Sequence, residues 1–395
     1  MATKLNARAI ALYLPQFHPV PENDLWWGKG FTEWTNTAKA KPLFPGHYQP
    51  HVPADLGFYD LRVPETRAAQ AEMARAYGIE GFCYYHYWFA GRRILQRPLE
   101  EVVASGAPDF PFCVCWANET WSGIWHGAPK QILIEQTYPG EDDHRAHFAA
   151  LLPMFRDPRH IRVDGKPLFV IYKPLKLPDL EHTLHLWREM AREAGLGGLH
   201  IVGNSTDPQE DPVASGYDAV LRGPDFKVPR WIRGWRDPVG RVRQSVNARR
   251  GFPHISRFAD LADEVMPRRE ASRTYPCVVH AWDNTPRSGG NGVAYTDPNP
   301  DVFRRLLTAA VDVVSDQPPG ERIVFLKSWN EWAEGNHLEP DLRYGTAYLD
   351  VVADVLRGGA AGTAAQMQDG MGQRGTAGLA SVEQEDALAA RTTDA

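Results

Sequence analysis

The chain has 395 residues, 43% of them apolar and 23% charged, and a formal net charge of −6. One large core can be buried by such a chain, while the acidic balance argues against an overall binder of nucleic acid or anionic membranes. No apolar run approaches the ~18 residues of a membrane span, and the first eight residues lack a signal-peptide core, so the expected location is the cytoplasm.

Short β-rich apolar runs alternate with helical patterns, the signature of parallel βα units. In order, the strands read as Ile10–Leu14, Gly81–Tyr85, Phe112–Trp116, Leu168–Tyr172, His200–Asn204, Ala219–Arg222, Cys277–Ala281 and Ile323–Lys327. Helices are predicted over Pro64–Tyr77, Pro98–Ala104, Glu141–Met154, Asp179–Glu193, Arg257–Val265, Pro300–Val314 and Thr346–Leu356, several opening on Pro or an acidic residue. Asp207–Gly216 reads as loop, so the fifth unit lacks a clear helix. Eight strands favour an α/β fold with a single (β/α)8 TIM-type barrel over a doubly wound sheet, and no Gly-x-Gly-x-x-Gly turn follows the first strand. Residues 1–357 form this barrel domain, with long loops at its C-terminal face. Residues 358–395, rich in Gly, Ala, Gln and Thr, read as a disordered tail.

Barrel sites lie at the C-terminal ends of the strands. Polar or aromatic residues stand at or just past each strand end: Gln16 and His18; His86, Tyr87 and Trp88; Trp116, Asn118 and Glu119; Lys173; Asn204 and Ser205; Asp225; Trp282 and Asp283; Trp329, Asn330, Glu331 and Glu334. The segment Phe17–Val63 is too long for a plain connection and carries Trp26, Trp27 and Trp34, which suggests a lid or wall over the mouth. A second excursion, Gly223–Ser256, holds Lys227, Arg230, Arg233, Arg236, Arg241, Arg243, Arg249 and Arg250. It is either a solvated basic loop or a holder of an anionic ligand such as a sugar diphosphate. Flat aromatic faces mixed with Asn, Asp, Glu and His match a glycan or oligosaccharide better than a nucleic acid. Neither a P-loop nor a Gly-x-Ser-x-Gly elbow is present, and no cofactor is implied. Cys83, Cys113, Cys115 and Cys277 lie inside apolar runs without histidines at metal-ligand spacing, so they predict buried thiols and no metal site.

The last strand turns abruptly into Trp329-Asn330-Glu331-Trp332-Ala333-Glu334-Gly335. Two carboxyls beside indoles suit glycosidic-bond chemistry, which needs one protonated and one ionised group. A helix start with Glu in its first turn is the structural alternative. Three residues apart, the two glutamates can share a face only in a turn or a helical turn. Asn330-Glu331-Trp332-Ala333-Glu334-Gly335 with Leu338-Glu339-Pro340 resembles the signature of the WbsX family of polysaccharide-biosynthesis proteins, itself similar to glycoside hydrolase family 99. Further matches are Tyr13-Leu14-Pro15-Gln16-Phe17-His18 with Trp26 to Trp34, Gly81 to Phe89, and Trp116 to Trp121. The resemblance implies a (β/α)8 barrel in which Glu331 is the base, removing a proton from the sugar 2-hydroxyl, and Glu334 the acid. Ala333 stands where the hydrolases carry His. Glu334 is then expected to have the raised pKa, through ionised Glu331 and the indoles of Trp332 and Trp329, with Glu331 kept ionised by Asn or backbone donors. Asn118-Glu119 resembles the acid-bearing pair of other barrel glycosidases, which makes Glu119 the fallback carboxylate. Two other functions fit the residues. One is a glycosyltransferase with a diphosphate-linked donor, although no Asp-x-Asp occurs; the other is a catalytically silent glycan-binding barrel.

Overall fold

The computed structural model describes residues 5–123, 128–224, 226 and 251–358. Trp125, Asp225, the basic stretch from 227 to 250 and the tail from 359 onward lie outside the described residues. Eight parallel strands close into a barrel: β1 Arg8–Tyr13, β2 Ile79–Phe89, β3 Phe112–Trp116, β4 Lys166–Ile171, β5 His200–Ser205, β6 Ala219–Arg222, β7 Thr274–Val279 and β8 Ile323–Lys327. Each pairs with the next in chain order. The ring closes on β1, where Ile10 lies opposite Phe325 of β8 and Leu12 opposite Cys83 of β2.

Strand alternation divides the side chains into two layers. Ile10, Leu12, Cys83, Cys113, Cys115, Val170, Val202, Cys277, Ile323 and Phe325 fill the barrel interior. Ala9, Ala11, Tyr13, Phe82, Tyr84, Val114, Trp116, Val324 and Leu326 face the helices. All four cysteines are buried free thiols.

Among the described residues the helices are α1 Pro21–Trp27, α2 Glu33–Lys39, α3 Pro64–Ala76, α4 Arg97–Ser105, α5 Glu141–Arg156, α6 Leu180–Glu193, α7 Phe258–Glu264, α8 Thr285–Ser288, α9 Pro300–Val314 and α10 Ala347–Leu356. α9 shows why they form where they do. Asn299 caps it by accepting from the Val302 N–H (3.0 Å), Pro300 opens it, and Val302, Phe303, Leu306, Leu307, Ala310, Val313 and Val314 make one buried stripe. α1, α2 and α8 were not read from the sequence, and all three lie in connections at the C-terminal face. Between β5 and β6 the described chain makes only a 3-10 turn, Pro212–Ser215, as the loop-like composition of that stretch indicated. Among the described residues no helix is long and apolar enough to cross a membrane.

The excursion after β1 packs as a wall on the end of β8. The Trp34 ring centroid lies 4.7 Å from Phe17, 5.1 Å from Tyr59 and 5.3 Å from Trp332, and the Trp34 indole N–H donates to the Tyr59 carbonyl (2.8 Å).

Candidate active site

β8 stops at Lys327 and the chain makes a short antiparallel hairpin, with Asn330 opposite His337 and Glu331 opposite Asn336. Ser328 fastens it. Its hydroxyl donates to the Asn336 carbonyl (2.7 Å) and accepts from the Glu331 N–H (2.9 Å), while its N–H donates to Asn336 Oδ1 (3.0 Å). Between the arms lies one 3-10 turn, Trp332–Glu334, ended by Gly335 at φ +57°. A Cβ at Gly335 would meet Asp283 Cβ at 3.1 Å, so both the backbone angle and the space call for glycine. The Asp283 N–H donates to the Glu334 carbonyl (2.7 Å) and ties the turn to the end of β7. This turn brings Glu331 and Glu334 to one side.

The two carboxyls meet on Arg287 of α8. Its Nη1 donates to Glu334 Oε1 (2.6 Å), its Nη2 to Glu331 Oε2 (2.9 Å) and its Nε to Glu33 Oε2 (3.0 Å). Lys327 Nζ lies 3.5 Å from Glu334 Oε2. Only 12% of the Arg287 side chain is exposed, against 4%, 7% and 8% for Glu33, Glu331 and Glu334. A planar guanidinium can serve three carboxylates in this way because its donors form a fixed fork. Burial works against the charge on Arg287, but the three carboxylates raise its pKa well above the ordinary value. Lys327 is raised likewise by Glu334 and Glu331 against its own burial.

Glu331 is the carboxyl whose pKa is pushed up, to about 7, by burial first and by the Glu334 charge second, against Arg287 and Lys327. This overturns the expectation that Asn or backbone donors would hold Glu331 ionised. Of the neighbouring indoles, Trp332 stacks on His337 (3.6 Å) and Trp329 packs on Phe82 (5.1 Å).

Tyr85 and Tyr87 flank this cluster. Both phenols have pKa values raised first by burial and next by the Glu331 charge. Trp121 meets Tyr87 edge-on at 5.0 Å and Trp26 reaches Trp121 at 5.7 Å, which extends an aromatic wall away from Glu331. Trp27 lies beside Phe31 on the same excursion (6.1 Å).

His86, Trp88 and Trp116 were expected at the mouth, and the structure places them under the helices instead. His86 Nε2 lies 2.9 Å from His147 Nε2, and the rings of Trp88 and Trp116 lie 4.7 and 4.6 Å from that of His147 in α5. Alternation is the reason. Tyr85 and Tyr87 take the inner face of β2, so His86 and Trp88 take the outer one, and Trp116 is the register partner of His86. Trp329, fully buried on Phe82, belongs to the same layer.

Asn118 and Asn330 are consumed as staples between strand ends. Asn330 accepts from the Leu14 N–H (2.7 Å) and donates to the Leu14 carbonyl (3.0 Å) and Tyr59 hydroxyl (3.3 Å). Asn118 does the same for Lys173, accepting at 2.7 Å and donating at 2.9 Å. Asn330→Ala should therefore destabilise the fold by about 1–3 kcal/mol for each buried Leu14 group left unpaired, measured by denaturant unfolding. An unchanged midpoint would show that the staple carries no energy.

Of the remaining expected residues, Glu119 is 57% exposed beside Lys173 (3.7 Å). The Gln16 carbonyl accepts from the Glu33 N–H (3.0 Å) and so anchors α2. His18 is buried, and burial lowers its pKa.

Trp282 and Asp283 line a cavity beside the turn, with His47, Tyr48, His51, Gly335, His337 and Tyr344. Asp283 accepts from His47 Nε2 (2.6 Å), Gln49 Nε2 (2.8 Å) and the Thr285 N–H (2.9 Å). Burial would raise its pKa, and these hydrogen bonds bring it below the ordinary carboxylate value. In the same wall, His51, His337 and Asp341 gather their ligand atoms closely enough to hold an ion. The sequence reading missed this group, as it missed Glu33, Tyr85, Arg287 and Lys327.

The fold is a closed (β/α)8 barrel with paired carboxyls and buried cations at its C-terminal strand ends. One solved structure with this fold, a glycoside hydrolase-like protein, is 14% identical, covers 90% of this chain and 95% of its own, and has a TM-score of 0.54. The GH99 endo-alpha-mannosidase from Bacteroides thetaiotaomicron is 17% identical over 88% of this chain and 96% of its own, with a TM-score of 0.50. The family model described as "Glycosyltransferase WbsX" matches residues 9–352, and the chain belongs to that family. The "Uncharacterized protein WxcX" of Xanthomonas campestris pv. campestris is 40% identical over 364 residues, or 89% of this chain. The strain B100 counterpart is 40% identical over 361 residues. The chain spans about half the length of these curated relatives.

Proposed function

We propose that the chain is a carbohydrate-active enzyme of the cytoplasm that cleaves or transfers an α-linked glycan in bacterial polysaccharide metabolism, with Glu331 and Glu334 as its reacting carboxyls. One observation carries this reading: the two glutamates converge on a single buried guanidinium just past β8, and Glu331 titrates at about 7. A base poised near neutrality is suited to removing a hydroxyl proton. The 2-hydroxyl oxygen, freed of its proton by Glu331, would attack the anomeric carbon as Glu334 protonates the departing oxygen. Water or an acceptor hydroxyl would then open the intermediate. Arg287 holds both carboxyls, so Glu334 can protonate a leaving group only once that bond is given up. The aromatic wall of Tyr87, Trp121 and Trp26 offers flat faces to sugar C–H groups, and Trp27, Gln16, His18, Trp282 and Asp283 complete the proposed binding surface.

Glu334→Gln should lose activity on glycans with poor leaving groups yet keep part of it on activated aryl glycosides, which need no acid. Equal loss on both substrate types would remove Glu334 from the acid role. The wider test incubates the protein with bacterial glycans and nucleotide sugars in H₂¹⁸O and tracks products by mass spectrometry. Cleavage labels the new reducing end, and transfer yields an unlabelled coupled product. The family's own description favours transfer as the second reading. If the wild type turns over no member of either panel, the catalytic reading fails in favour of a silent binding barrel.

A further inference from the structure

We propose that His51, His337 and Asp341 form a binding site for a divalent transition metal of the zinc class, which clamps the excursion after β1 to the segment after β8. His51 Nδ1 lies 2.8 Å from His337 Nε2, and each nitrogen lies 3.8 Å from Asp341 Oδ2. Three atoms so spaced share a point about 2.0 Å from each, which is the bond length zinc makes to imidazole nitrogen and carboxylate oxygen. Two imidazoles and one carboxylate are also a donor set that such metals favour.

The surrounding contacts orient His337 and Asp341 for this task. His337 Nδ1 is 2.9 Å from the Glu339 carbonyl, which can only accept, so Nδ1 carries the proton and Nε2 presents its lone pair. The ring is fixed by its stack on Trp332, at 3.6 Å and 8°. Asp341 Oδ1 accepts from the backbone N–H groups of Arg343 (2.9 Å) and Tyr344 (2.7 Å), which aims Oδ2 at the histidines.

A hydrogen bond between the two imidazoles would satisfy their nitrogens without a metal. It would leave Asp341 Oδ2, which is buried and has no hydrogen-bond partner, still unanswered. An unpaired buried carboxylate oxygen is costly, and a cation at the shared point answers all three atoms at once. The site lies in the wall of the cavity that Asp283 and Tyr344 also line, on the far side of the hairpin strand pairing from Glu331, so its occupancy can be measured without any turnover assay.

Untagged full-length protein, stripped with a chelator and dialysed against Zn²⁺, should hold one equivalent of zinc by elemental analysis and show a higher Tm than the stripped form. His51→Gln and Asp341→Asn should each weaken binding by more than the roughly 10–100-fold that loss of an outer-shell partner costs, and should erase the Tm rise. Zinc held equally by the wild type and both variants, or by none of them, overturns the proposal. Should the variants fail to fold, Co²⁺ added to the stripped wild type decides: strong visible bands of a low-coordinate nitrogen and oxygen site support it, and the weak bands of the hydrated ion alone reject it.

Discussion

Glu331→Gln should lower kcat/KM by about 10²–10⁴-fold on every substrate, activated aryl glycosides included, because the proposed general base is lost at a fixed shape. On activated aryl glycosides, which need no acid, the wild-type rate should climb with pH and level off above the Glu331 pKa of about 7, since only the ionised carboxyl accepts a proton, and the variant's residual rate should lose this dependence. Stability gives an independent reading with a definite sign. The folded pKa of Glu331 lies above its ordinary value of 4.5, so its contribution is fully present below about pH 4.5 and lost as pH rises through about 7. The Tm difference between Glu331→Gln and wild type should therefore move in the variant's favour from pH 5 to pH 8. A fully active variant with a normal melting curve would move the chemistry away from Glu331, and Glu119 would be the next carboxylate to replace.

Arg287→Gln should be the most damaging single change to the fold near the mouth. It would leave Glu33, Glu331 and Glu334 buried with Lys327 as the only nearby cation among the described residues, and removing one partner of a buried ion cluster costs about 3–5 kcal/mol. In a domain of this size that is a fall in Tm on the order of 6–10 °C at pH 8. The deficit should shrink toward pH 5, where Glu331, already raised to about 7, takes up a proton and no longer needs a counter-charge. Arg287→Lys should recover only part of the loss, because an ammonium is a point charge and cannot span three carboxylates in fixed directions. With the lowering influence of Arg287 gone, any residual activity of the Gln variant should need a still more alkaline pH. An unchanged Tm at pH 8 would show that Arg287 does not hold the cluster together.

The barrel was legible because each strand is an apolar β-rich run flanked by polar residues, and all eight runs form strands. The fifth unit, read as helix-poor, contains only a 3-10 turn among its described residues. The carboxyl pair was legible too, as a change of chemistry at the end of β8. What failed was the facing of side chains beyond strand ends. β2 runs on to Phe89 rather than stopping at Tyr85, so strict alternation still governs that stretch. Cys83 faces the barrel interior, which assigns Tyr85 and Tyr87 to the site and sends His86 and Trp88 outward. That signal was present and unused. Arg287 offered none, since a lone arginine after a short turn looks like any surface arginine. His51 and Asp341 were equally silent, because the metal-ligand spacings that can be recognised in sequence are local, and 286 residues separate His51 from His337.

The closure of β8 onto β1 sets a schedule for the growing polypeptide. Glu33 and Arg287 lie 254 residues apart, and the Leu14–Asn330 staple spans 316. While the ribosome is still adding α9, β1 and β7 are open edges waiting for a common neighbour, and neither Glu331 nor Glu334 has yet been made. During that interval the nascent chain depends on its surroundings to keep those edges from pairing with another molecule. The meeting of Glu33, Glu331 and Glu334 on Arg287 arrives in one step, when the final strand enters the gap, and an N-terminal fragment carries none of it in weakened form.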